Sequence, residues 1–561
     1  MSTDDTNTPI GTAGVRGGVA APTGVEGSGP ARTTRPAARP TGAREAVVSR
    51  ELPGWHWRFT EVRFRDRTDA VNELVFENEW LLHPRERDLS FRGNCFGVEN
   101  AETGEGFVVL LLEPLPERRP EHGDEPDVLV EKADTGYTLR VFCDRPDHVV
   151  TLDYSGGELG RTRALQTYQR EIRSATTWHR RASFLSNTWG DRNRDARIGE
   201  EFILREIDAA ARLGVDVVQI DDGWEAGTTA NAVAAQDGGS GRWSGYWDEE
   251  APFWAVDAER FPNGLEPVVA AARERGMEIG LWYSPDSSRD FENWERDVDQ
   301  LVELHGRLGV RFFKMDGIDC ESRTAFDRLE RLLTAVIERT GGEVVFDLDI
   351  TAQTRPGYWG LAHTGPLFVE NRYTDWHGYW PHHTLRNLWK LSRWVDPLRL
   401  RFELLNNARN TTLYRDDPLA PHTYRPDVLF AMVMAGNPLG WFEVSSLPDA
   451  WFETLPRLVG SWKERRERWA RSVILPVGEE PDGWGISGFL VVDDADRLAA
   501  ALFFRGAGRT EAATIRLPVG VVAPGAGANG LEPVAGTGSV RAAGDQLEVQ
   551  LPERRSFVWF G

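Results

Sequence analysis

Val215-Asp-Val-Val-Gln-Ile-Asp-Asp-Gly-Trp224 is the stretch that decides the fold. Residues 215–220 are mostly apolar and β-branched, the mark of a strand buried on both faces. The preceding residues, 198–213, repeat their apolar side chains at helical spacing. The strand runs straight into two carboxylates, a glycine and a tryptophan, so its end is where chemistry is expected. The same rhythm extends outward in both directions. Strands are expected at 183–189, 215–220, 278–283, 310–315, 344–349, 367–370, 401–405 and 440–444. Helices are expected at 198–213, 265–275, 294–308, 323–340, 384–394 and 427–435. Eight strands alternating with helices predict an α/β chain with a (β/α)8 TIM barrel over 176–465 rather than an open sheet.

The flanks read differently. Residues 1–45 are rich in Gly, Ala, Pro, Thr and Arg and are expected to form a disordered leader. Residues 46–175 show short alternating runs broken by turn residues, which predict an N-terminal β-sandwich. Residues 466–561 return to short strands and predict a C-terminal all-β domain, a second β-sandwich. The formal charge of −22 makes nucleic acid and anionic membranes poor partners. Cys95, Cys143 and Cys320 are too few and too far apart for a disulfide framework or a thiolate metal site. No apolar run is long enough to span a bilayer, and the N-terminus lacks a secretory core, so a cytoplasmic location is expected.

In a TIM barrel the active site lies at the C-terminal ends of the strands. Here those ends carry Asn187-Thr-Trp189, Asp221-Asp222-Gly-Trp224, Trp282-Tyr283, Lys314-Met-Asp316, Asp349, Glu370-Asn-Arg372-Tyr-Thr-Asp375, Asn406-Asn407 and Glu443. Any one Asp could be a helix cap or a solvated turn. The whole set describes a polar cup with aromatic walls, which suits a polyhydroxylated ring cleaved between two carboxyl groups.

With these residues on the page, the chain resembles the α-galactosidase clan, glycoside hydrolase families 36 and 27. The resemblance covers roughly residues 178–444, and the flanking β-domains suit family 36. It rests on Val218-Gln-Ile-Asp-Asp-Gly-Trp224, on Arg260-Phe-Pro-Asn-Gly-Leu265 with Gly276-Met-Glu-Ile-Gly-Leu-Trp-Tyr283, on Phe312-Phe-Lys-Met-Asp316, and on Arg372-Tyr-Thr-Asp375. The chain departs from the clan at Met315, where an aromatic residue is usual, at Gly317-Ile-Asp319 after the nucleophile, and in the segment 370–375.

The resemblance implies a retaining exo-glycoside hydrolase acting on an oligosaccharide or glycoside by double displacement. Asp316 would be the nucleophile and Asp375 the acid/base, with Glu370 as the other candidate for that role. Asp221 and Asp222 would grip O4 and O6, and Arg372 a hydroxyl near O2. Trp189, Trp224 and Trp282 would form walls, with Asp349 and Glu370 also lining the cup. Lys314, two residues before Asp316 on the strand, would share its face and keep it ionised. Other sugars keep the same chemistry: an α-N-acetylgalactosaminide, a β-L-arabinopyranoside or an α-glucoside. A non-catalytic sugar-binding protein is the rival from another class. No cofactor and no metal are expected, because His377, His382 and His383 lack ligand spacing. The oligomeric state is left open.

Overall fold

The computed structural model describes residues 45–119, 123–177, 182–248, 252–351, 356–369, 372–523 and 531–561. Apart from residue 45, the leader expected over 1–45 lies outside the described residues.

A closed barrel of eight parallel strands occupies the centre, as expected. Its strands are β1 (Leu185–Asn187), β2 (Val217–Ile220), β3 (Glu278–Tyr283), β4 (Phe312–Met315), β5 (Val345–Asp349), β6 (Leu367–Phe368), β7 (Leu400–Leu405) and β8 (Asn437–Trp441). They pair in chain order, and β8 closes on β1 with Leu185 opposite Leu439. The outer layer includes α1 (Glu200–Leu213), α2 (Glu266–Glu274), α3 (Trp294–Leu308), α4 (Arg323–Arg339), α5 (Pro381–Leu391), α6 (Pro426–Val433) and α7 (Asp449–Ala470). The local signals fit these bounds. Helix α1 carries Glu200 and Glu201 in its first turn, where the helix dipole favours anions, and stops at Gly214 with φ 87°. Helix α4 is capped by the Ser322 hydroxyl, which accepts from the Ala325 N–H at 3.0 Å.

Two elements differ from the sequence reading. The last strand begins three residues earlier than expected, because Pro438 sits within β8 rather than before it. Residues 157–171 form a helix, Gly157–Glu171, inside the span read as all-strand. Its buried face carries Thr162, Gln166, Gln169 and Arg170, so no apolar stripe announces it.

Two antiparallel sheets, of five and four strands, precede the barrel and share one core that includes Phe59, Phe91, Phe96, Val109, Val130 and Leu139. A five-stranded and a three-stranded antiparallel sheet follow the barrel and share a second core.

The N-terminal sheets are tied to the barrel at two places. The first is a charge cluster on α4. There the buried His148 meets Glu113 at 2.6 Å and Glu330 at 3.6 Å, Arg323 meets Glu113 at 2.6 Å, and Arg145 meets Glu330 at 2.8 Å. The second is the segment 65–72, which reaches the barrel's C-terminal rim. The Arg67 N–H donates to Ile350 O and the Asp69 N–H to Thr351 O, both at 3.1 Å, and the Thr68 hydroxyl donates to Val369 O.

Candidate active site

Strand β4 sets the floor of the site. Alternation along a strand turns Phe312 and Lys314 inward, and Phe312 joins the cluster that fills the barrel with Leu185, Val217, Val345 and Leu439. Lys314 is almost fully buried, with its Nζ 3.1 Å from Asp221, 3.5 Å from Asp316 and 3.7 Å from Asp349. Burial alone would favour neutral lysine. The three surrounding carboxylates, Asp221 first, outweigh it and hold the ammonium well above its usual range. The rings of Phe368 and Trp441 complete its cage at 4.9 and 5.1 Å.

The three carboxylates are not equivalent. Side-chain exposure is 3% for Asp221 and 1% for Asp349 but 19% for Asp316. Asp221 also accepts from Asn187 Nδ2 at 2.7 Å, and Asp349 is occupied by the Thr351 N–H and hydroxyl at 2.8 and 2.6 Å. Asp316 accepts from the Gly317 N–H at 2.7 Å and from Trp282 Nε1 at 3.2 Å. It is therefore the member of the trio that opens to solvent while being oriented by fixed donors. Position 317 must be glycine here, because φ is +60° and a Cβ would collide with the Ser284 hydroxyl.

The aromatic walls are arranged differently from the expectation. Trp224 is completely buried, donates its Nε1–H to Trp282 O at 2.9 Å and packs on Trp254. It supports the wall from behind and offers no ring face to a sugar. Trp282 is 1% exposed and acts instead as the indole donor to Asp316. Trp189 is buried in the barrel's upper cluster beside Tyr373 and Trp441. The rings that reach the surface are Trp243, 6.3 Å from Trp282, and Trp376, which is 52% exposed. Trp243 lies in a Gly/Ser-rich loop, 236–246, where a lone tryptophan was the available signal.

Asp222 turns into its own loop, where the Thr229 hydroxyl donates to it and Glu225 lies beside it. Burial, followed by repulsion from Glu225, pushes the Asp222 carboxyl well up, so the two groups hold a proton between them. The paired grip expected of Asp221 and Asp222 is thus divided: Asp221 belongs to the Lys314 cluster and Asp222 to the Glu225 pair.

The acid/base candidate lies at the rim. The Asp375 side chain is 38% exposed and meets Arg192 Nε at 3.3 Å. The Arg192 guanidinium lies over the rings of Tyr373 at 4.6 Å and Trp376 at 4.5 Å. Arg192 adopts φ 62°, a left-handed conformation uncommon for a non-glycine residue. Tyr373 connects rim and floor: burial pushes its phenol up, and Lys314 and Arg192 pull it back. Arg372 departs from the expected contact with a ring hydroxyl. Its guanidinium donates to Asp69 O and Val71 O on the N-terminal segment, which pin it to the strap rather than the cup. Glu370, the other acid/base candidate, lies outside the described residues.

Asp191, read from the sequence as a cap, is pushed up to about 7 by burial, with Arg409 opposing and Glu443 adding to the rise. His377 packs on Trp380 and Tyr414, and His382 on His383, with burial and His383 bringing the His382 ring down to about 4. No group of three or more His, Cys, Asp or Glu side chains among the described residues could hold a metal ion.

Comparison with known proteins gives consistent likenesses. Residues 146–346 match the Melibiase family model, a stretch that contains Asp221, Asp222, Lys314 and Asp316 and ends before Asp375. The α-galactosidase of Escherichia coli is 33% identical over 107 residues, 19% of this chain and 13% of that protein. α-Galactosidase 2 of Pediococcus pentosaceus is 24% identical over 259 residues, 46% of this chain and 32% of that protein. The matching stretches therefore span a third or less of these relatives' length. In structure, a single-substitution variant of the family 36 α-galactosidase AgaA of Geobacillus stearothermophilus, in complex with 1-deoxygalactonojirimycin, superposes with TM-score 0.63 at 15% identity, covering 91% of this chain and 76% of that one. Further variants of AgaA have been solved in complex with stachyose and with raffinose. The chain is α-galactosidase-clan-like, with a family 36-like architecture.

Proposed function

We propose that this chain is a retaining exo-glycoside hydrolase of α-galactosidase type, with Asp316 as nucleophile and Asp375 as acid/base. The observation that carries the reading is the Lys314 cluster: three carboxylates share one buried ammonium, and Asp316 alone of them is solvent-open. A nucleophilic carboxylate has to be ionised, oriented and reachable, and Lys314, Trp282 and Gly317 supply the first two conditions.

In the first step an Asp316 oxygen attacks the anomeric carbon while Asp375 gives its proton to the departing glycosidic oxygen. In the second step water, deprotonated by Asp375, displaces Asp316 from the glycosyl-enzyme. Arg192 occupies Asp375 and the adjacent ring faces, so it has to yield part of that contact when the leaving group arrives. Asp221 and the Asp222–Glu225 pair present an acceptor and a proton-sharing group to the ring hydroxyls. Oligosaccharides with a terminal α-galactosyl unit, such as raffinose, are the proposed substrates.

The catalytic unit is assigned to residues 176–465, with β-domains over 46–175 and 466–561. A reducing, cytoplasmic location agrees with the free thiols of Cys95, Cys143 and Cys320. No helix among the described residues is long and apolar enough to cross a membrane.

Proton NMR of the first-formed sugar tests the mechanism. Double displacement gives the substrate's own anomeric configuration and places Asp316 and Asp375 about 5–5.5 Å apart in the complex. An inverted first product removes the nucleophile role from Asp316.

A further inference from the structure

The N-terminal sandwich contains a cavity of about 410 Å³, lined by Trp80, Phe91, Arg92, Asn94, Glu117 and Asp124 among others, none of which belongs to the barrel site. Two polar atoms at this cavity have no use within the fold. Asn94 is 1% exposed, and its Nδ2 donates to Leu111 O at 3.0 Å, Glu113 O at 2.7 Å and Pro114 O at 3.3 Å. Those three bonds fix the amide orientation and leave Oδ1 on the opposite side, buried and without a partner among the described residues. Arg92 holds Pro116 O and Arg119 O through one terminal nitrogen, at 2.9 and 3.4 Å, while its buried Nε has no partner among the described residues. Native folds rarely leave buried polar atoms unpaired without a reason.

We propose that this cavity is a second, non-catalytic saccharide site. The lining combines what a sugar ring demands. Trp80 and Phe91, 4.8 Å apart, give an aromatic corner for the apolar face of the ring. Asn94 Oδ1 accepts from one hydroxyl and Arg92 Nε donates to another. The volume falls within the range of small-molecule sites and accommodates one or two rings. Glu117 and Asp124 at the same cavity oppose a phosphate-bearing ligand.

The site's place in the fold relates it to the barrel. Its wall includes Val62, Arg63 and Phe64, and the chain continues from there into the segment bonded to the β5 and β6 rim. Phe64 to Asp69 is at most about 18 Å of extended chain. A distal unit of an oligosaccharide, or a second molecule of it, can therefore be held close to the catalytic mouth. That part of the inference rests on the glycosidase reading of the barrel, whereas the existence of the site does not.

Asp316→Ala protein, unable to turn over substrate, is titrated with raffinose by calorimetry and ligand-observed NMR. Two molecules bound per chain are expected. Adding Arg92→Met, or filling the cavity with Ser90→Phe, weakens the second event at least about tenfold and leaves the first intact. In the otherwise wild-type chain the same two substitutions leave nitrophenyl glycoside hydrolysis within about twofold. A single binding event in the Asp316→Ala parent, or a second event insensitive to both substitutions, overturns the proposal. If the wild-type chain hydrolyses no glycoside yet binds raffinose in an Arg92-dependent way, the activity reading falls and the cavity site stands.

Discussion

Raising the pH, or replacing His148 with glutamine, should loosen the grip of the N-terminal sheets on helix α4. His148 is 4% exposed, which by itself would depress its basicity, but Glu113 and then Glu330 overcome burial and bring it up to about 9. Because the folded value lies above the ordinary 6.5, the contribution is complete below about pH 6.5 and is lost as pH rises through about 9. The difference of roughly 2.5 units corresponds to about 3 kcal/mol. Glu113 is lowered, and Glu330 comes down to about 2, through the same contacts. Their share is present above the ordinary carboxylate value near 4.5 and is lost as pH falls toward about 2. These are two views of one set of pairs and do not add. His148→Gln keeps the volume and leaves Glu113 with Arg323 and Glu330 with Arg145. Urea unfolding at about pH 6 and about pH 10 should show the variant weaker by about 3 kcal/mol at the lower pH and nearly level with the parent at the higher. A deficit of the same size at both values refutes the charge assignment and leaves only lost packing.

Three further outcomes are expected at the site. Asp316→Ala should lose several orders of magnitude in kcat with the fold intact, and added azide should restore turnover and give a glycosyl azide; near-normal kcat transfers the role to Asp319. Arg192→Ala should reduce kcat/KM for an alkyl glycoside by about tenfold while a nitrophenyl glycoside, whose leaving group needs little protonation, changes less than about threefold. Equal losses on both substrates remove Arg192 from any role in positioning Asp375. Activity should survive prolonged EDTA treatment, and loss on chelation with rescue by a divalent ion contradicts the two-carboxylate mechanism.

The barrel was legible because a strand covered on both faces has to be apolar throughout, as Val217–Ile220 is, whatever its neighbours. The helix Gly157–Glu171 was not, because it turns Gln166, Gln169 and Arg170 inward to bond Ile474 O, Trp394 O and Asp396, partners more than 200 residues away. At the site, strand periodicity was enough to bring Lys314 and the strand-end carboxylates Asp221, Asp316 and Asp349 to one floor. It could not say which way a ring or guanidinium is packed. Trp224 and Trp282 were read as sugar platforms, yet one is an internal brace and the other a hydrogen-bond donor. Arg372 was read toward substrate, yet carbonyls at 69 and 71, supplied by a different part of the chain, claim it. Arg192 escaped notice because its place over Tyr373 and Trp376 depends on a left-handed backbone turn that no composition pattern marks.

The segment 65–72 also fixes when, during synthesis, the mouth of the barrel can be finished. Thr68 and Val369 are 301 residues apart in the chain, and Arg372 and Asp69 are 303 apart. At about 5–20 residues per second the ribosome delivers the second member of each pair roughly 15–60 s after the first. The N-terminal sheets have time to fold in that interval, while the carbonyls of residues 69 and 71 wait without their arginine. Joining so distant a pair is slow compared with closing local contacts. The β5–β6 rim, on which Asp375 depends, is therefore among the last parts of the molecule to reach its final form. A nascent chain halted before residue 372 would hold Asp316 and Lys314 on a barrel whose entrance is still incomplete.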